Sequence, residues 1–119
     1  MKQNTFVDLL KSVVTDGLSK ELAQSWQHPP GRFRSEERSQ RSEWLTKMSE
    51  LDRELLEAFG SDVARAAIFG VLAVLDGARK IEDPSSGHLE LRHVRDGGAQ
   101  LLASSDPEVS VLPLHELLA

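Results

Sequence analysis

Apolar residues recur every three or four positions along residues 5–27. That spacing is typical of an amphipathic helix with one apolar face. Gly17 should bend this helix, because glycine is unfavourable in a helix interior. The Pro29-Pro30 pair should end it, because proline cannot continue the backbone hydrogen-bond ladder. We therefore predict a first helix over residues 5–27.

The next apolar stripe predicts a second helix. Residues 32–40 are charged and without such a period, and we expect a loop there that passes into the helix. The stripe consists of Trp44, Met48, Leu51, Leu55 and Phe59. The helix should begin at Ser35 or Ser42, since either serine can cap it. It should end at Phe59, with Gly60 as the residue just beyond the last turn.

A third segment, residues 61–83, is apolar nearly all round before charged residues close it. Its small residues are Ala66, Gly70, Ala73, Gly77 and Ala78. A helix of this kind in a soluble protein needs neighbours on several faces. We therefore expect it to be central and buried, with water excluded around Phe69 and Leu72. Its apolar run, residues 66–75, is too short to span a bilayer.

The period changes after residue 87. Residues 89–94 alternate between apolar and polar side chains, as in a strand, and Asp96-Gly97-Gly98 is a turn signal before a second strand over residues 99–103. Residues 109–112 could add a third strand, and residues 113–118 a short terminal helix. The predicted class is α+β: a three-helix core with a buried third helix, a C-terminal antiparallel β-hairpin or small sheet, and a short terminal helix, in one domain over residues 1–119.

Composition narrows the possible functions. The 119 residues carry a net charge of -5 and contain no cysteine, which excludes a disulfide framework or a thiolate metal site and suits the cytoplasm. The acidic balance argues against nucleic acid as a partner. The one basic cluster is interleaved with glutamates, and Phe33 is its lone aromatic residue. The cluster consists of Arg32, Arg34, Arg38 and Arg41. We expect no signal peptide, membrane segment or cofactor.

Asp76 is the most unusual charged residue, because it directly follows the most apolar run. It could be a general base or bind a partner, but a structural ion pair with Arg79, Lys80 or another arginine is favoured. A small enzyme that pairs Asp76 with a histidine is a further hypothesis. The histidines lack the spacing of a metal site. They are His28, His88, His93 and His115.

Four carboxylates surround the predicted hairpin, and they could steer a basic protein partner or form a solvated edge that prevents aggregation. They are Glu82, Asp83, Glu90 and Asp96. As partner contacts we choose charged residues in and near this region, most of them for their expected exposure. The chosen residues are Asp76, Glu82, Asp83, Glu90 and Arg92.

The C-terminal half, residues 61–119, resembles a group of small bacterial proteins found among the immunity partners of secreted polymorphic toxins. The resemblance lies in IFGVLAVLDGARKIED, GHLELRHV, LLASSDPE and LHELL. It implies a cytoplasmic, non-enzymatic protein that binds a toxin domain and blocks it by covering the active site. The alternative is a structural or regulatory homodimer, because the wide apolar stripes of the first two helices could leave a face for self-association.

Overall fold

The fold is seen in a computed structural model that describes residues 1–29, 31 and 35–119. Its helices and strands are α1 (Gln3–Leu10), α2 (Leu18–Gln27), α3 (Glu36–Lys47), α4 (Glu50–Leu75), β1 (Glu90–Arg95), β2 (Gly98–Ser104) and α5 (Leu114–Leu118). These elements confirm the α+β class. Part of the predicted basic cluster, at Arg32 and Arg34 with the neighbouring Phe33, lies outside the described residues, as does Pro30 of the helix-ending pair.

The chain divides into two compact units. We call Val13–Arg65 the three-helix unit and Met1–Ser12 with Ala66–Ala119 the mixed unit. The first contains α2, α3 and the N-terminal part of α4. The second contains α1, the C-terminal part of α4, the hairpin and α5.

The predicted first helix is present but interrupted. Its first part, α1, runs into a π-helical turn at Lys11–Thr15. Gly17 then adopts a left-handed conformation, with φ of 79°, before α2 begins. Glycine adopts this conformation without the steric cost that a Cβ brings. The expected bend at Gly17 is therefore a complete break between two helices.

The predicted second helix is wrong in its boundaries. Ser35 does cap α3, since its Oγ accepts a hydrogen bond from the backbone N of Arg38. That helix ends before Met48, and Ser49 Oγ accepts from Asp52 N at 3.1 Å as α4 begins. The apolar stripe read as one helix therefore belongs to two.

Gly60 lies inside α4 and does not end a helix. A Cβ at this position would overlap Ser19 Oγ. The missing side chain thus allows close approach of α4 to α2 within the three-helix unit.

Helix α4 ends eight residues earlier than predicted. Ala78 N donates to Ala73 O at 2.9 Å and Gly77 N donates to Val74 O at 3.1 Å, with Gly77 at φ of 79°. These two bonds form a Schellman motif, which satisfies the last carbonyl groups of the helix. A Cβ on Gly77 would also lie 2.9 Å from Ser105 O.

The core of the mixed unit combines α1, α4, β2 and α5. It consists of Val7, Leu72, Leu102, Ala103, Leu114 and Leu118. The hairpin is antiparallel, with Arg95 paired to Gly98 and Asp96-Gly97 as its turn, as predicted. Within the described residues the sheet has two strands, so the expected third strand at residues 109–112 is wrong.

The expectation that the apolar helix is buried all round is also wrong. Leu72 is buried, but Phe69 is 36% exposed and Val71 is 56% exposed. By length and composition α4 could cross a membrane, and 17% of its most apolar window is buried. The apolar part of α4 is therefore buried on one side and exposed to solvent on another.

Candidate functional site

The best-defined polar contact in the mixed unit joins Asp76 to His115. Asp76 Oδ2 accepts a hydrogen bond from His115 N at 2.8 Å and lies 2.8 Å from Nδ1 of the same residue. The carboxylate is 3% exposed and the imidazole 15%. Phe69 places its ring edge-on to the imidazole, with 5.3 Å between centroids. Asp76, which we predicted as a partner contact, therefore has its side chain inside the protein, paired with His115.

This contact anchors the C-terminal helix. Asp76 follows α4, and its carboxylate accepts from a backbone N–H in the first turn of α5, where helical N–H groups lack internal partners. The favoured ion pair with Arg79 or Lys80 is not formed; a histidine takes that place. The other oxygen, Oδ1, is buried without a hydrogen-bond partner among the described residues. Asp76 thus lies within hydrogen-bond reach of a histidine, which is the pairing that the small-enzyme hypothesis uses.

Two of the chosen contact residues pair with each other on the hairpin. Arg92 Nε donates to Glu90 Oε2 at 2.8 Å. This hydrogen bond is the main reason that the pKa of Glu90 lies below its ordinary value, and the same bond raises the pKa of Arg92. The imidazole of His88 lies between two carboxylates, 3.6 Å from Glu90 and 3.9 Å from Asp106. The described residues contain no group of three side chains arranged to hold a metal ion.

The other two chosen residues, Asp83 and Glu82, lie between α4 and the hairpin. Asp83 caps a short 3-10 turn, Pro84–Ser86. The backbone N–H of Ser85 donates to its carboxylate, and this bond is the main cause of its lowered pKa. Glu82 lines a cleft of about 200 Å³ together with Arg79, Lys80 and Asp106. Side chains of both charge signs therefore line the cleft beside Glu82.

The three-helix unit carries a groove that sequence analysis did not identify. It has a volume of about 180 Å³. Its apolar walls include Leu22, Trp26, Trp44, Leu45, Leu56 and Phe59. The two indole rings lie 6.3 Å apart, centroid to centroid, and the guanidinium of Arg41 sits 4.8 Å over Trp26. Both tryptophan rings therefore belong to the apolar lining of the groove.

Beside the groove, α4 presents apolar side chains to solvent. Those in the three-helix unit are Leu51, Leu55, Phe59 and Val63. They recur every four residues, and this spacing continues past Gly60 and Ser61 because α4 is not interrupted there. That spacing is available in the sequence, and the homodimer hypothesis uses the stripe of the second predicted helix as a face for self-association, but the helix end predicted at Gly60 separates Val63 from that stripe. The signal that would have found the exposed face is the uninterrupted four-residue period.

Comparisons with protein-family models, curated proteins and solved structures found no match for this chain.

Proposed function

We propose that this chain is a non-enzymatic protein-binding protein. One observation carries the proposal: within the described part of the three-helix unit, one large apolar side chain, Leu45, is buried, while nine are between 39% and 76% exposed. The nine are Val13, Val14, Leu18, Leu22, Trp44, Leu51, Leu55, Phe59 and Val63. Apolar area in contact with water is unfavourable, and large exposed apolar patches usually mark interaction surfaces.

An immunity-type protein is the kind of binder that we favour. It would neutralise a cognate bacterial toxin by covering the toxin's active site. A groove beside an exposed apolar face suits this role, because a side chain of the partner can bury apolar surface in it. The acidic character of the chain would favour a toxin domain with a basic surface.

Co-expression with the product of the adjacent gene tests the proposal. We expect the two proteins to co-elute in size-exclusion chromatography as a stable complex, and cells that produce both to survive when the partner alone stops growth. Separate elution, together with growth arrest that this chain does not relieve, would show that it is not the immunity partner of that protein.

A structural or regulatory homodimer is the second candidate, since the same apolar face could be covered by another copy of the chain. Light scattering at low and high protein concentration separates the two candidates. A dimer mass that persists on dilution, without any complex with the neighbouring product, would favour the homodimer.

A further inference from the structure

The exposed face of α4 in the three-helix unit is acidic as well as apolar. We define the acidic-apolar face as the exposed residues Leu51, Asp52, Leu55, Phe59, Asp62 and Val63. Asp52 and Asp62 lie seven residues from Phe59 and Leu55 respectively, which places each aspartate on the same side of the helix as the apolar stripe. Glu50 and Glu54 are exposed beside it.

Carboxylates outnumber cations on this part of α4. Residues 50–65 carry five acidic residues and two basic residues, Arg53 and the exposed Arg65. The Arg53 guanidinium donates to Leu45 O, from Nε at 3.3 Å and from Nη2 at 3.0 Å, and is therefore held toward α3. The acidic-apolar face thus shows apolar side chains and negative charge together.

The groove supplies an anchor site at the edge of this face, because Phe59 belongs to both. A cavity of roughly 150 Å³ accommodates benzene in another protein, so about 180 Å³ is enough for one aromatic or branched aliphatic side chain. Binding energy at protein interfaces is concentrated in such anchors.

We propose that the acidic-apolar face binds an amphipathic helix of a partner protein whose apolar stripe is flanked by Lys and Arg. One large apolar side chain of that helix enters the groove beside Phe59, as in other cases of helix-in-groove recognition. The flanking cations meet Asp52 and Asp62. This assignment rests on the proposed function, because it assumes a protein partner. It adds which surface binds that partner and which kind of segment the partner supplies.

The negative charges on this face favour a basic partner helix over a second copy of the chain and over a membrane surface. A second copy of the chain would place the same carboxylates opposite one another, and like charges across an interface are unfavourable. A membrane-surface helix carries Lys and Arg on its polar side, to suit anionic lipids, whereas this helix carries aspartate and glutamate.

A pair of matched peptides provides the test. Both are 18-residue helices with the same leucine stripe, and one carries lysine where the other carries glutamate. The chain has two tryptophans, Trp26 and Trp44, and both line the groove, so intrinsic fluorescence reports occupancy directly. We expect the lysine peptide to bind about tenfold more tightly than the glutamate peptide at low salt, and the difference to shrink as salt rises.

Two variants and a control locate the binding surface. Phe59→Ser should weaken binding of the lysine peptide about tenfold or more, as expected for an anchor residue. The double change Asp52→Asn and Asp62→Asn should weaken it about fivefold and reduce its salt dependence. Val94→Ser is the control, because Val94 is 73% exposed on β1 in the other unit, and binding should change less than about twofold. Circular dichroism verifies that each variant is folded.

Four results would overturn the assignment: equal binding of the two peptides, unchanged binding by folded Phe59→Ser and the double variant, a homodimer that Phe59→Ser dissociates, or co-sedimentation with phosphatidylcholine or phosphatidylserine vesicles. Failure here is distinct from failure of the proposed function. If Phe59→Ser still forms the complex with the neighbouring gene product, the function stands and the surface is wrong. If the peptide binds as expected but that complex never forms, the surface stands and the immunity role is wrong.

Discussion

Replacing Asp76 by alanine removes the anchor of α5. The carboxylate accepts two contacts from His115, both at 2.8 Å, in an almost fully buried position. His115 N and Nδ1 both lose their acceptor, and a buried N–H left without a partner costs about 1–3 kcal/mol, so the two together cost about 4 kcal/mol at the middle of that range. Removing the carboxylate also relieves the buried, unpartnered Oδ1, which returns about 1–3 kcal/mol. We therefore expect Asp76→Ala to lower the free energy of unfolding by about 2–3 kcal/mol.

Urea unfolding followed by circular dichroism measures this loss. Asp76→Asn keeps an oxygen acceptor without the charge and should lose about 1 kcal/mol. Glu82→Ala removes an exposed carboxylate from the same unit and should change stability by less than about 0.5 kcal/mol. If Asp76→Ala costs no more than Glu82→Ala, the contact with His115 does not hold α5 in place, and Asp76 would have to be explained by another role.

Two further predictions concern the hairpin and the glycines. Gly77→Ala should destabilise the protein by about 1 kcal/mol more than Gly17→Ala; both glycines have φ of 79°, but only at Gly77 would the new Cβ meet backbone, and at Gly17 it would meet nothing within 4 Å. Equal losses in urea unfolding would contradict this reasoning. In an NMR titration the pKa of Glu90 should rise toward its ordinary value in Arg92→Gln, because the side-chain hydrogen bond that lowers it is lost. Since the folded-state pKa is depressed, the stabilising effect of this pair is present above the ordinary glutamate pKa and is lost as the pH falls through the lower folded-state value; an unchanged pKa of Glu90 would contradict it.

Local signals predicted the C-terminal elements well. The Asp96-Gly97 turn appears where the sequence placed it, because φ is positive at both residues, and this conformation favours glycine and aspartate strongly. The terminal helix, predicted from Pro113, begins one residue later at Leu114; Leu114 and Leu118 dock inward as expected, whereas Leu117, also predicted to dock, is 38% exposed. Each of these features depends on a few adjacent residues, so no long-range contact had to be known.

The boundaries of α4 could not be predicted in the same way. Glycine often ends a helix, so Gly60 looks like a helix end in the sequence. In the structure it allows α4 to approach Ser19, which is 41 residues away in sequence. Gly77, by contrast, does end the helix. The two glycines look alike in the sequence, and tertiary packing alone separates them, because a small residue within a helix and a left-handed residue after it are both satisfied by glycine.

The full extent and the exposure of the candidate binding surface could not be predicted for a related reason. A four-residue apolar period shows that one side of a helix is apolar, but it does not show whether protein or water covers that side. On α4 the side facing α3 carries Arg53, which is fixed by Leu45 O, while Leu55 and Phe59 face outward. In most soluble proteins apolar side chains face the interior and arginine faces solvent, so Arg53 on the inner side and apolar residues on the outer side are the reverse of the usual arrangement. Such a reversal makes sense if the outer side is covered by a partner, and it is the physical reason for assigning the binding surface to α4 instead of to the charged hairpin.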